Sequence, residues 1–134
     1  MKKEFDKEAI QAMNLFEDVT DVEVVDCVQD DESIYFLVEP GKAGAAIGKD
    51  GKKIEEVGDM LNKRIKVFEY GEDEKEFVKN MIIESNEVDI EDGTAFVSVD
   101  RSDRGKVIGS GGNNINKVRT LVRRNSDLED VKLK

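Results

Sequence analysis

Two copies of one pattern, 61 positions apart, limit what this chain can fold into more than any other feature. The first copy is Ala46-Ile47-Gly48-Lys49-Asp50-Gly51, running on through Lys52, Lys53 and Ile54. The second is Val107-Ile108-Gly109-Ser110-Gly111-Gly112, followed by Asn113, Asn114 and Ile115. At the same offset Gly44 falls on Gly105, Val57 on Val118 and Leu61 on Val122. One GxxG is weak, because glycine pairs recur at turns. Two, each inside a matching apolar frame, make an internal repeat.

A chain of 134 residues holding a duplication reads as two small modules, 1–70 and 71–134. Units of about 65 residues are near the lower limit for an independent core, so the two are expected to pack together. Tyr70-Gly71 is the only linker candidate, and its shortness suggests a rigid binder whose two clefts form one extended track.

The periodicities give both modules the same element order. An amphipathic helix is expected over 5–16, with Phe5, Ala9, Ala12, Met13 and Phe16 on one face. Asp6 can cap it, with Phe5 and Ile10 as a hydrophobic staple. A strand follows from Val22 to Val28, then a turn at Asp30-Asp31. The next strand carries Ile34, Phe36 and Val38 on one face and Tyr35 and Leu37 on the other, and ends at Pro40-Gly41. A short helix over Lys42 to Ile47 leads into the glycine loop. The helix beyond it turns Ile54, Val57, Met60 and Leu61 inward, and Ile65 to Phe68 closes the module as a strand.

In the second module Asp73 and Glu76 form a capping box before Phe77, Val78, Met81 and Ile82. Val88 and Ile90 mark a strand, Asp92-Gly93 a two-residue hairpin, and Ala95, Val97 and Val99 the returning strand. Ser102 can cap a short helix to Ile108. A long helix carries Ile115, Val118, Leu121 and Val122, and Val131 with Leu133 marks a last strand.

The formal net charge of −10 argues against a polyanion partner until it is divided along the chain. Residues 1–40 carry −9, 41–66 carry +3, 67–100 carry −9 and 101–134 carry +5. Both positive segments contain a glycine loop. A basic patch on an acidic body steers a polyanion to one face. The single cysteine, Cys27, cannot form an internal disulfide and reads as a buried strand thiol, which makes a reducing, cytoplasmic setting the default. No histidine is present, which removes the commonest metal ligand and general base. No metal or cofactor is expected. The opening MKKEFDKEAIQ lacks the apolar core of a signal peptide, and no run is long enough for a membrane span.

A helix beginning at each loop offers unpaired N–H groups and a partial positive charge to an anion. Glycine lets a phosphodiester backbone approach and tolerates φ > 0. Lys49, Lys52 and Lys53 add charge at the first loop; Arg104, Lys106, Lys117 and Arg119 are placed to do so at the second. Ala46-Ile47 and Val107-Ile108 are expected to line a groove for bases. The plainer reading of each loop is a tight helix–helix turn that needs glycine.

The IGxxG frame, inside a helix-strand-strand-helix-helix-strand module, resembles the type II KH domain of prokaryotes. Two such modules in tandem at this length resemble the archaeal NusA-like transcription factors. The resemblance implies an α+β fold and single-stranded RNA held by each GxxG over about four nucleotides of backbone. It also implies a role in transcription elongation, termination or antitermination, with RNA polymerase as a further partner. The resemblance assigns to RNA the matched loop positions, Gly48, Lys49, Asp50 and Gly51, then Gly109, Ser110, Gly111 and Gly112; the charged, apolar and amide side chains beside them add Ile47, Lys52, Lys53, Arg104, Lys106, Ile108 and Asn113 as candidate RNA contacts. Two departures stand out. Asp50 puts an acid where a phosphate would lie, and the second loop has no cation between its glycines. A monomer is expected.

Enzymatic readings fare worse. A P-loop needs four residues between its first glycine and Gly-Lys, whereas Gly44 and Gly48 enclose three and Asp50 follows Lys49. The other alternative is a protein–protein adaptor whose acidic faces dock a basic polymerase or ribosomal partner, with little RNA affinity. Single-stranded DNA in place of RNA is a third variant. The few aromatics argue against a base-stacking sheet.

Overall fold

An antiparallel hairpin and a returning parallel strand, backed by helices on one face, account for each half of the chain. The computed structural model describes residues 4–134; Met1 to Lys3, which open the stretch read against a signal peptide, lie outside it. By internal contacts the chain divides into two compact units at the Tyr70–Gly71 bond.

In the first unit α1 (Lys7–Thr20) precedes β1 (Val24–Gln29) and β2 (Ser33–Val38). The helix α2 (Ala43–Ile47), a 3₁₀ turn over Lys49–Gly51, α3 (Lys52–Leu61) and β3 (Arg64–Glu69) follow. The helix α1 starts as expected, since the Asp6 carboxylate accepts the Ala9 N–H at 2.8 Å. It runs a turn beyond Phe16 because Val19 still packs on the core and Thr20 is buried, and it stops at Asp21 in the left-handed conformation. Ile10, one half of the expected staple, is 45% exposed.

The sheet order is β1-β2-β3, with β2 antiparallel to β1 and parallel to β3. Alternation divides the fully buried β2 between two faces. Ile34, Phe36 and Val38 meet Ala12, Phe16, Ala46 and Val57 from the helices. Phe16 and Phe36 stack with ring centroids 4.3 Å apart. On the opposite face Tyr35 lies against Phe68 at 4.9 Å, with the Lys66 ammonium 5.5 Å from its ring centre. Met60 does not face inward. It is 59% exposed, because Val57 and Leu61 already fill the inward stripe of this short helix.

The second unit repeats the order with α4 (Glu74–Met81), β4 (Ser85–Glu91), β5 (Thr94–Val99), α5 (Arg104–Ile108), α6 (Asn113–Asn125) and β6 (Asp130–Leu133). A 3₁₀ turn, Ser110–Gly112, again separates the two helices. Even an irregularity recurs: the hairpin register slips between Val24 and Asp26, and again between Ser85 and Glu87. The repeat changes step after α6. Arg64 pairs with Ser33, whereas Asp130 pairs with Thr94, so the last strand lies 66 positions on, not 61.

Local chemistry explains the joints. Asp92 and Gly93 both have φ > 0 (50° and 80°), the requirement of a type I′ hairpin. Asp73 caps α4 through the Glu76 N–H at 2.7 Å, while the Glu76 carboxylate reaches one residue further back, to the Glu72 N–H at 2.8 Å. Ser102 is not a cap: it lies inside a 3₁₀ turn, Arg101–Asp103, that leads into α5. Gly71 is buried, and a Cβ there would lie 2.4 Å from the Phe77 amide nitrogen. It is a packing glycine against the start of α4.

Candidate nucleic-acid interface

The two glycine loops share one backbone. Gly48 and Gly109 have φ/ψ of 81°/174° and 78°/171°. Asp50 (58°/25°) and Gly111 (62°/17°) are left-handed, as are Gly51 (72°/14°) and Gly112 (82°/12°). The first glycine is needed on two counts. Its backbone region is open to glycine almost alone, and the residue five positions on crosses over it. A Cβ at Gly48 would meet Lys53 Cγ at 2.8 Å, and one at Gly109 would meet Asn114 Cγ at 2.7 Å. Asp50 has a conformational reason to be present, since aspartate tolerates the left-handed region that its counterpart fills with glycine.

Each loop leaves two amides open. The Gly48 and Gly51 N–H groups donate to the carbonyls of Gly44 and Gly48, as those of Gly109 and Gly112 do to Gly105 and Gly109. The N–H groups of Lys49, Asp50, Ser110 and Gly111 make no hydrogen bond among the described residues. They lie next to the N-termini of α3 and α6, where the helix dipole adds positive potential.

The cations around the loops differ. The Lys49 and Lys52 ammonium groups are exposed and make no ion pair or hydrogen bond among the described residues. Lys53 lies across Gly48, its ammonium 3.5 Å from the Thr20 carbonyl. At the second loop, Lys106 pairs with Glu84 at 3.4 Å and Arg104 donates to the Lys134 carbonyl. Lys117 is buried, and its ammonium donates to the Asn113 carbonyl at 3.0 Å. Asn113 is exposed, while Asn114 ties α6 back to α5 through the Lys106 carbonyl at 3.0 Å. Ala46 and Val107 are core residues, so only Ile47 and Ile108 bring apolar surface to the loops.

A groove that the sequence did not reveal leads away from the first loop. It runs between α3 and β3, with the β1–β2 turn along it, and is lined by Ile54, Glu55, Gly58, Asn62, Arg64 and Ile65 among others. The Arg64 and Tyr70 N–H groups donate inward to Glu32 and Val38. By alternation, Ile65 and Val67 present their N–H and C=O groups to the open edge of the sheet. Asp31, Glu32, Glu55 and Asp59 line the groove together with Lys63, Arg64 and Lys66, so its charge is mixed. Glu69 holds α2 in place, accepting the Ala43 N–H at 3.0 Å. No helix among the described residues is long and apolar enough to cross a membrane.

A KH-domain family model matches residues 11–84, which include the first loop and all of the groove. A probable transcription termination protein NusA of Halococcus morrhuae is 37% identical over 93% of this chain and 94% of its own length. The protein of the same description from Methanococcus vannielii is 34% identical over 99% of this chain and 80% of its own length. The crystal structure of APE1850 superposes with a TM-score of 0.75 at 29% identity, over 97% of this chain and all of that one. With an α+β KH fold and relatives of this kind along nearly its whole length, the chain belongs to the archaeal NusA-like family of KH-domain proteins.

Proposed function

We propose that the protein binds single-stranded RNA in the service of transcription, through elongation, termination or antitermination. In this reading it is two tandem type II KH domains, 1–70 and 71–134, with no catalytic role, and acts as a monomer. The observation that carries the proposal is the first loop: two unbonded amides, the start of α3 and the free ammonium groups of Lys49 and Lys52 converge on one anion site. A phosphate there would lead the following bases into the groove beside β3. The edge of Ile65 and Val67 can pair with base edges.

The test is fluorescence anisotropy of a labelled single-stranded RNA of about ten nucleotides, enough for two footprints of about four. Lys49→Asp replaces a cation by an anion without strain, since Lys49 lies in a helical turn and is exposed. Binding that weakens with salt and falls in this variant supports the proposal. A wild-type protein that binds no RNA at low salt defeats it. The same titration with single-stranded DNA separates the two nucleic acids. The adaptor reading keeps one specific support: the cations of the second loop are engaged within their own module, which suits a docking surface better than a phosphate clamp.

A further inference from the structure

The groove of the first module has a counterpart in the second, and that counterpart is occupied. Glu55, Gly58 and Asn62 line the groove side of α3; 61 positions on, α6 carries Asn116, Arg119 and Arg123. Gly58 sends no side chain across the groove, and even a Cβ there would lie 3.1 Å from the Lys63 carbonyl. Arg119 and Arg123 reach across the equivalent space. The Arg119 Nε donates to the Val131 carbonyl at 2.9 Å, and its guanidinium also bonds Asn116 Oδ1 at 3.2 Å. The Arg123 Nε donates to the Glu129 carbonyl at 2.8 Å. The Asp130 carboxylate lies 3.2 Å from Arg119 and 3.8 Å from Arg123, holding both. The Val131 carbonyl corresponds in the sheet to that of Ile65, a group the first module leaves open.

We propose that Arg119 and Arg123 form a latch that closes the base-binding groove of the second module, and that the Gly58/Arg119 position decides which groove reads bases. The inference rests on the first groove being a base site. The bonds of the latch are charge-assisted and about twice as strong as the neutral ones a base edge could offer in exchange. The second module therefore keeps a loop able to touch phosphate, while both backbone polar groups of Val131 on its strand edge are engaged, the carbonyl by Arg119 and the N–H by the Asp130 carboxylate. This reverses the expectation that Arg119 serves the anion site.

The sign of one effect separates the latch from ordinary electrostatics. Removing two arginines weakens RNA binding if they attract phosphate; it creates a site if they are a latch. The experiment is an NMR titration of Arg119→Ala/Arg123→Ala with a single-stranded RNA of about five nucleotides, near one KH footprint. In the wild type, amide shifts are expected at Lys49, Asp50, Gly58, Ile65 and Val67, with one RNA per chain. In the variant, Ser110, Gly111, Val131 and Leu133 are expected to join them, with two RNAs per chain. Asp130→Asn, which keeps both arginines and loosens their anchor, is expected to give part of that gain.

A folded variant that still binds one RNA, with unchanged or weaker affinity, overturns the latch and leaves the first groove standing. Wild-type shifts already present at Val131 and Leu133 overturn it as well. Absence of shifts at Ile65 and Val67 in every protein overturns the base-site reading, and the latch falls with it. If Arg119→Ala/Arg123→Ala does not fold, Asp130→Asn decides by the same criteria.

Discussion

The two modules share a backbone down to the slip in their hairpins, yet they offer different chemistry to a ligand. In the first, lysines stand free at the loop, an aspartate occupies the left-handed position and the edge of β3 is bare. In the second, glycine replaces the aspartate, the loop cations are held by Glu84 and the Lys134 carbonyl, and arginines cover β6. Duplication thus preserved what the chain must do to fold. The side chains that a ligand would meet were free to diverge.

The largest effect separating the modules should lie in their cores. Phe36, stacked on Phe16, corresponds to Val97. Phe36→Ala should cost about 3–5 kcal/mol, and Val97→Ala nearer 2 kcal/mol for the smaller area lost, in chemical denaturation with two probes. Equal losses would break the contrast. Next comes the anion site. Lys49→Asp should reduce RNA affinity about tenfold, the size of one charge-assisted contact. Ser110→Asp should change it less than about threefold if the second loop is secondary.

Asp50→Asn keeps left-handed tolerance and removes the charge. Affinity should rise by a few-fold, the scale of one exposed charge interaction, with the melting temperature unchanged. A fall in affinity would show that Asp50 does more than satisfy the backbone. The smallest effect belongs to the second module alone. Hydrogen bonding to Lys134 holds the Asp89 carboxyl below its ordinary 3.8, and the same bond holds the Lys134 ammonium above its ordinary 10.5. The Asp89 contribution is present above pH 3.8 and is lost as pH falls through the lowered value. That of Lys134 is present below pH 10.5 and lost above the raised value. Lys134→Met should therefore lower the melting temperature only slightly at pH 7, and by less once the pH has fallen through the lowered Asp89 value.

Most of the element order was legible because apolar periodicity and the repeat reinforced each other. The helix α1 outran its expected end at Phe16 because Val19 keeps to the buried stripe. Asp50 read as an acid opposing phosphate because sequence shows charge and not φ. The latch was hidden for a different reason. Gly58 and Arg119 do align at the common offset, but their partners on β3 and β6 align at another, since α6 and the turn after it add five positions. Only the strand register shows that Arg119 has something to reach. Lys117 and Arg119 looked like charge for the loop because a helix sequence does not say what its cations will bond.

The parallel pairing of β2 with β3 has a consequence for the order in which the protein can be made. The central strand of each module is synthesised well before the strand that covers its second edge, with both glycine-loop helices in between. A chain emerging residue by residue therefore holds β2 with one edge unpaired until β3 arrives, and then repeats that wait with β5 and β6. An apolar strand in that condition is a template for pairing with a neighbouring nascent chain. Slow synthesis through α3 or α6 would prolong the risk.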